Sequence, residues 1–138
     1  MIYLDSAAIV KLAHAEAESA DLRSWLAERA GVPRVTSALA EVEVPRAIHR
    51  HAPASLPHVP LVLGTIARFE IDIAVRALAA SYADPLLRSL DAIHLATAQV
   101  LNAELDESLQ AFVTYDQRLL TAAQRAGLAA ASPGLDPG

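Results

Sequence analysis

Met1-Ile-Tyr-Leu-Asp5 begins the chain with four apolar or aromatic residues and ends on a carboxylate. A run this short and this apolar predicts a buried strand. The residues from Ser6 to His14 then follow a helical period, with their apolar positions on one side. The chain therefore opens with a strand that runs directly into a helix, and an aspartate stands at the junction.

The same alternation of short strands and helices continues along the chain. Further strands are predicted at 34–37, 69–73, 111–115 and 128–131. Helices are predicted at 16–30, from Ser37 as N-cap through Glu43 towards Arg50, and at 61–68, 74–83, 91–101 and 117–126, with a proline-rich break at 52–60. Strands separated by helices imply right-handed crossovers. The predicted fold class is therefore α/β, with a parallel sheet covered by helices on both faces.

Composition is consistent with one domain over residues 1–131, followed by a flexible tail at 132–138 that is rich in Pro and Gly. Apolar residues make up 54% of the chain and aromatic residues only 4%, so we expect a core of small aliphatic side chains and some apolar surface for a partner. There is no cysteine, no signal peptide and no apolar run of the ~20 residues that span a bilayer. A cytoplasmic, reducing location is the expectation, with no role in a membrane.

Carboxylates stand at the ends of several predicted elements. Asp5 and Asp116 each follow a strand, Asp91 heads the clearest amphipathic helix, and Glu41 and Glu43 lie on the helix between them. In a parallel sheet, ligands bind beyond the carboxyl ends of the strands. Convergent carboxylates there suit Mg²⁺ or Mn²⁺, which prefer oxygen ligands.

Each carboxylate also has a simpler interpretation. Asp5, Asp91 and Asp116 can be helix caps, and Glu43 can form an exposed pair with Arg46. Helical spacing allows only one of Glu41 and Glu43 to face a common site and favours Glu43 weakly.

The net charge and the remaining polar residues bear on which ligands the chain binds. The net charge of −5 lowers the expectation of a nucleic-acid partner without excluding it, because a bound cation inverts the sign of the field around a carboxylate cluster. His49 and His51 are spaced unsuitably for zinc on a helix, and the chain has no Gly-rich phosphate loop.

Four stretches of the chain carry a resemblance to a known family. They are Met1-Ile-Tyr-Leu-Asp-Ser6, Val35-Thr-Ser-Ala-Leu-Ala-Glu-Val-Glu-Val44, Leu90-Asp-Ala-Ile-His-Leu-Ala-Thr-Ala98 and Phe112-Val-Thr-Tyr-Asp-Gln-Arg-Leu119. In this order they resemble PIN-domain ribonucleases, and more narrowly the VapC-type toxins of bacterial toxin–antitoxin pairs.

The resemblance implies a three-layer α/β/α sandwich around a mainly parallel sheet of four to five strands. It implies an acidic catalytic site of Asp5, Glu43, Asp91 and Asp116, which would bind Mg²⁺, with Mn²⁺ able to substitute; Glu43 would act directly or through water. Ser6 and Thr114 match small hydroxyl residues beside that site, and His94 matches a frequent histidine to which no role is transferred. From position, Arg46, Arg50 and Arg118 are candidates for RNA-phosphate contacts.

The implied function is the toxin of a type II system, a metal-dependent endoribonuclease that cuts structured RNA such as tRNA or rRNA. The implied partners are a VapB-type antitoxin and a second copy of the chain, in a homodimer and in a heterotetramer or larger complex, with operator DNA reached only through the antitoxin. Two alternatives stay open: a weakly active binding subunit in an operator-DNA complex, and a PIN nuclease outside toxin–antitoxin systems. Ala7 and Pro45 depart from the family pattern without removing a ligand.

Overall fold

Five parallel strands form one sheet in the part of the chain that the structure describes. The structure, a computed structural model, describes residues 1–104 and 108–135. The strands are β1 (Ile2–Leu4), β2 (Arg34–Ser37), β3 (Ala67–Phe69), β4 (Ala111–Val113) and β5 (Ala130–Ala131). Their spatial order is β3-β2-β1-β4-β5, and every neighbouring pair is parallel. The predicted α/β fold with a parallel sheet is confirmed.

Seven α-helices connect and cover the strands in the described part of the chain. They are α1 (Ser6–Ala13), α2 (Ser19–Ala27), α3 (Ala40–His51), α4 (Val59–Leu63), α5 (Ile73–Ser81), α6 (Ser89–Glu104) and α7 (Gln117–Arg125), with a 3-10 helix at Pro53–His58. Within residues 1–104 and 108–135, none of these helices has the length and apolar character needed to cross a membrane.

The alternation of side chains along β1 produces the three layers. Ile2 and Leu4 point to one face and pack in a core cluster with residues of α1 to α4. Tyr3 points to the other face, where it packs with residues of α6 and α7 and stacks on Phe112 at 5.1 Å between ring centroids. Ile2, Tyr3 and Leu4 are all fully buried. The opening strand therefore lies at the centre of both halves of the core.

Some predicted boundaries are wrong. The third strand was predicted at 69–73 but spans Ala67–Phe69, although it does lie at the sheet edge. Asp72, in the alternating stretch read as strand, instead caps α5 by accepting a hydrogen bond from Val75 N. The helix predicted at 61–68 ends at Leu63. Ser37 is the last residue of β2 and does not cap α3, which begins at Ala40.

The first residues of the predicted tail pack against the sheet. Ser132 is buried, and its hydroxyl donates to the carbonyl of Thr114. The Tyr115 hydroxyl donates to the carbonyl of Pro133 at 2.8 Å. Packing therefore extends past 131, and residues 136–138 lie outside the described part of the chain.

The order of the strands creates a crevice at one place. The chain moves outward from β1 through β2 to β3, then returns to the other side of β1 as β4 and continues to β5. The direction of winding thus reverses between β1 and β4. In open parallel sheets, the carboxyl ends of the strands at such a reversal form the binding crevice.

Pro45 lies inside α3 without ending it, since the helix continues to His51. Proline at this position cannot donate to the carbonyl of Glu41 and crowds the preceding turn. Pro45→Ala should therefore raise the free energy of unfolding by about 1–2 kcal/mol, measured by urea denaturation, after allowing for the greater freedom of the unfolded chain. Pro53→Ala is the matched control, because Pro53 begins its helix and blocks no bond there. A lower midpoint for Pro45→Ala would contradict this account.

Candidate metal centre

Asp5 is held at the carboxyl end of β1 by the sheet and by the helix that follows. Its backbone N–H donates to the carbonyl of Val113 at 3.1 Å, which continues the β1–β4 ladder by one residue. Its Oδ1 accepts a hydrogen bond from Ala8 N at 2.9 Å and so caps α1. The side chain is buried. The capping interpretation is therefore correct, and it places the carboxylate in the crevice.

Asp116 occupies the equivalent position after β4. Its Oδ1 caps α7 by accepting from Arg118 N and Leu119 N, at 2.9 and 3.1 Å. Its Oδ2 faces Arg88, whose Nη2 lies 3.2 Å away. One oxygen of this carboxylate therefore caps α7, and the other points into the crevice.

Asp91 reaches the same point from α6. It is the third residue of that helix and not its cap, so that part of the simpler interpretation is wrong. Its Oδ2 lies 3.1 Å from Nε of Arg88. Nε and Nη2 belong to one guanidinium, so Asp91 and Asp116 both direct an oxygen at the same cation.

Glu43 enters from α3 and is oriented by two donors. Ser6 Oγ donates to its Oε1 at 2.7 Å, and His94 Nε2 lies 2.8 Å from the same oxygen. Glu41 turns the other way and pairs with Arg68 of the edge strand at 3.2 Å. Glu43 therefore faces Ser6 and His94, whereas Glu41 faces the edge strand.

His94, to which the family resemblance transferred no role, is a buried partner of Glu43. It is 2% exposed, and besides Glu43 it contacts Tyr3, whose hydroxyl lies 2.7 Å from Nδ1. In the neutral ring, Nε2–H donates to Glu43 and Nδ1 accepts from the Tyr3 hydroxyl. This buried chain fixes the orientation of Glu43. The spacing of Asp91 and His94, one turn apart on α6, was the available signal.

Ser6 and Thr114 each form hydrogen bonds with residues of the acidic set. Ser6 bonds to Glu43, as described above, and also lies 3.0 Å from Nε2 of His94. Thr114 Oγ1 accepts from Asp116 N at 3.1 Å and also hydrogen-bonds to the Asp5 side chain. Thr114 therefore links the two aspartates that follow β1 and β4.

The electrostatic environment differs between Asp5 and Glu43. Burial raises the pKa of Asp5 and Asp91 adds to the rise, while His94, Thr114 and the Ala8 N–H oppose it incompletely. Burial also acts to raise the pKa of Glu43, but hydrogen bonds from His94 and Ser6 outweigh it, so that pKa is lowered. Ionised Asp5 is thus stabilised less by its protein surroundings than ionised Glu43 is.

A groove of about 730 Å³ extends from Glu43 along α3. Arg46, Arg50 and Arg88 line it together with Glu43. Arg118 does not belong to this surface: its side chain lies in a separate depression with Asp84 and Arg125. Two of the three arginines predicted to contact RNA therefore share a surface, and the third lies elsewhere.

The donor set fits a hard divalent cation in its chemistry. All the convergent ligand atoms are carboxylate oxygens, and Mg²⁺ commonly binds one or two carboxylates and keeps several waters. Within residues 1–104 and 108–135, no three Asp, Glu, His or Cys side chains are already close enough together to hold an ion. Between Asp91 and Asp116 the positive charge is supplied by Arg88.

The sequence matches a known protein family and a known relative. Residues 2–125 match the model of the PIN domain. The chain is 52% identical over 134 residues to "Ribonuclease VapC35" of Mycobacterium tuberculosis, covering 97% of this chain and 98% of the relative.

Solved structures with little sequence identity share the fold. The sarcin-ricin-loop-cleaving toxin VapC20 of M. tuberculosis has a TM-score of 0.71 at 15% identity, covering 96% of this chain and 100% of that one. A toxin–antitoxin complex from Klebsiella pneumoniae has a TM-score of 0.65 at 19% identity, covering 86% and 88%. FitAB bound to an IR36 DNA fragment has a TM-score of 0.62 at 20% identity, covering 100% and 99%.

The burial of Asp5 predicts a pH-dependent effect on stability. Asn accepts the same hydrogen bond at the cap but carries no charge. Because the folded-state pKa of Asp5 is raised, its ionised form destabilises the fold above that pKa and has no such effect below the usual value of about 3.9. Asp5→Asn should therefore raise the Tm at pH 7 in metal-free buffer, and the gain should disappear as the pH falls towards about 4.

Asp72→Asn is the control for that measurement, because Asp72 caps α5 in the same way from an exposed position. It should leave the Tm nearly unchanged across the same range. A lower Tm for Asp5→Asn at pH 7 would show that the buried charge is already fully compensated.

Proposed function

The chain belongs to the PIN-domain family and, within it, to the VapC ribonucleases; from this premise we propose that it is the toxin of a bacterial toxin–antitoxin pair. Its activity is Mg²⁺-dependent endonucleolytic cleavage of structured RNA. The observation that supports this most directly is the arrangement of carboxylates around the reversal of the sheet: Asp5 and Asp116 follow β1 and β4, Arg88 joins Asp91 of α6 to Asp116, and His94 contacts Glu43 of α3.

The roles of the acidic residues follow from their surroundings. Asp5, Asp91 and Asp116 would hold the metal ion, with Glu43 contributing directly or through water. When bound, Mg²⁺ or Mn²⁺ activates water and neutralises charge on the phosphate. Asp5 and Asp116 each use one oxygen as a helix cap, so their second oxygens are held in fixed positions at the crevice. Ser6 and His94 keep Glu43 ionised and oriented towards it.

The reaction is hydrolysis of a phosphodiester bond. Water adds to phosphorus in line with the leaving oxygen, the P–O3′ bond breaks, and a proton ends on the 3′ oxygen. The products are a 5′-phosphate and a 3′-hydroxyl end. The carboxylates are negatively charged and do not attract the rest of the RNA backbone. We therefore assign the contacts with the flanking phosphates to the arginines of the groove along α3.

The groove provides a surface for RNA despite the net charge of −5. Arg46 and Arg50 are exposed and lie on the same side of α3 as Glu43, where they can bind phosphates that flank the cut. Structured RNA, in the form of a tRNA or an rRNA loop, is the proposed substrate class. VapC20, which has the same fold, is described as cleaving the sarcin-ricin loop.

An antitoxin is the proposed partner, in an assembly with two copies of this chain. Val42 and Leu90 line the groove and are 57% and 48% exposed. Apolar side chains beside an acidic centre suit a partner segment with apolar and basic residues. The complexes from K. pneumoniae and of FitAB show this fold in partnered and DNA-bound assemblies.

Loss of a ligand carboxylate should abolish cleavage without unfolding the protein. Asp5→Asn should reduce the rate of cleavage of a structured RNA in Mg²⁺ by more than the ~10–100-fold that loss of an orienting partner costs. Asp72→Asn, which alters an equivalent cap outside the acidic cluster, should cleave at the wild-type rate. Sequencing of the RNA ends gives the cut site. Undiminished cleavage by Asp5→Asn would refute the proposed site.

Removing the groove arginines should weaken RNA binding more than it slows the chemical step. Arg46→Gln combined with Arg50→Gln should raise KM with a smaller change in kcat, and should reduce the slope of log K against log salt by about 1–2, since each phosphate contact contributes ~0.7–0.9. Arg118→Gln should have less effect, because its side chain lies outside the groove. Equal effects of the two changes would show that RNA follows another surface.

A further inference from the structure

Arg88 lies between two of the carboxylates that the metal ion requires. Its Nε contacts Asp91 Oδ2 at 3.1 Å, and its Nη2 contacts Asp116 Oδ2 at 3.2 Å. Both carboxylates thus meet the same edge of one guanidinium. A cation on that edge neutralises the repulsion between the two aspartates.

The side chain of Arg88 is free to leave while its backbone stays in place. Its carbonyl accepts the hydrogen bond from Ala92 N at 2.8 Å and so begins α6. The side chain itself is 70% exposed, compared with 20% for Asp91 and 31% for Asp116. Movement of the guanidinium breaks two exposed ion pairs, which are individually weak, and disturbs no core packing.

The groove along α3 gives the guanidinium of Arg88 open space beside its present position. Arg88 also lines the groove along α3, with Arg46 and Arg50. Glu43 adds to the negative potential around Arg88, after Asp91 and Asp116, and all three raise its pKa. A guanidinium stays protonated in proteins, so the positive charge of Arg88 opposes the binding of a divalent ion to the same two carboxylates.

We propose that Arg88 is an exchangeable cation that sets the metal affinity of the site: it bridges Asp91 and Asp116 in the metal-free protein, and a divalent ion must displace it. The proposal rests on the function proposed above, because it takes Asp91 and Asp116 as metal ligands. Arg88 differs from Arg46 and Arg50, the proposed RNA contacts, in that it acts on the metal ligands themselves.

Direct measurement of Mn²⁺ binding tests the exchange without relying on catalysis. Free Mn²⁺ is titrated by electron paramagnetic resonance against the full-length wild type, Arg88→Gln and Arg118→Gln. Arg118 is the matched control: it carries the same charge two residues after Asp116, but its side chain lies beside Asp84 and Arg125. Arg88→Gln should bind Mn²⁺ about three- to tenfold more tightly than wild type, as expected from the loss of two exposed ion pairs, and Arg118→Gln should show a smaller change.

Thermal unfolding of the same proteins gives an independent measurement. In metal-free buffer, Arg88→Gln should lower the Tm by about 2–5 °C, because the repulsion between the two aspartates is no longer offset. At saturating Mn²⁺ the difference should shrink to that of Arg118→Gln, since the arginine no longer bridges the pair in the metal-bound wild type. Arg88→Lys should fall between the two, because one ammonium cannot present a planar edge to both carboxylates.

Three results would overturn the proposal, and they are distinguishable. Weaker Mn²⁺ binding by Arg88→Gln would show that the arginine organises the ligands. Equal shifts for Arg88→Gln and Arg118→Gln would reduce its role to overall charge. Absence of Mn²⁺ binding by the wild type itself would refute the metal site and, with it, the proposed function.

Discussion

The pairing of β1 with β4 is the constraint on which the rest of the site depends. Leu4 lies opposite Val113, and the ladder continues through the bond from Asp5 N to the Val113 carbonyl. Because both strands run in the same direction, each ends at the same edge of the sheet, and the residues that follow are brought together. A shift of one residue would turn Tyr3 towards the wrong core layer and carry Asp5 out of the crevice. The fold and the acidic site are therefore set by one register.

Bringing carboxylates together destabilises a fold unless their charge is compensated, and this protein compensates it in three ways. Helix N-termini bind one oxygen each of Asp5 and Asp116. A buried hydrogen-bonded chain from Tyr3 through His94 stabilises ionised Glu43. Arg88, whose side chain is exposed, bridges Oδ2 of Asp91 and Oδ2 of Asp116. The first two are built into the core, and the third lies on the surface, which is why only the third can exchange with a metal ion.

The sequence was sufficient for the features that depend on local pattern. Short apolar runs ending on Asp5 and Asp116 identified two central strands. The general topology of parallel sheets then predicted that both aspartates lie at the same edge of the sheet. The sequence was insufficient where a contact joins distant segments. Arg88 precedes α6 in a segment without periodicity, and its bond to Asp116 depends on where the start of α6 lies relative to the end of β4. The role of His94 was missed for the same reason, because Tyr3 and Glu43 come from other elements. At 69–73, alternation was mistaken for a strand because Asp72 serves as a cap.

Diffraction from crystals soaked in Mn²⁺, collected at a wavelength where manganese scatters anomalously, tests the central claim most directly. The account predicts an anomalous peak within coordination distance of carboxylate oxygens from Asp5, Asp91 and Asp116, with the guanidinium of Arg88 withdrawn from between the last two. Intact carboxylate–arginine bridges and no anomalous peak at this edge of the sheet, at Mn²⁺ concentrations that support RNA cleavage, would contradict it.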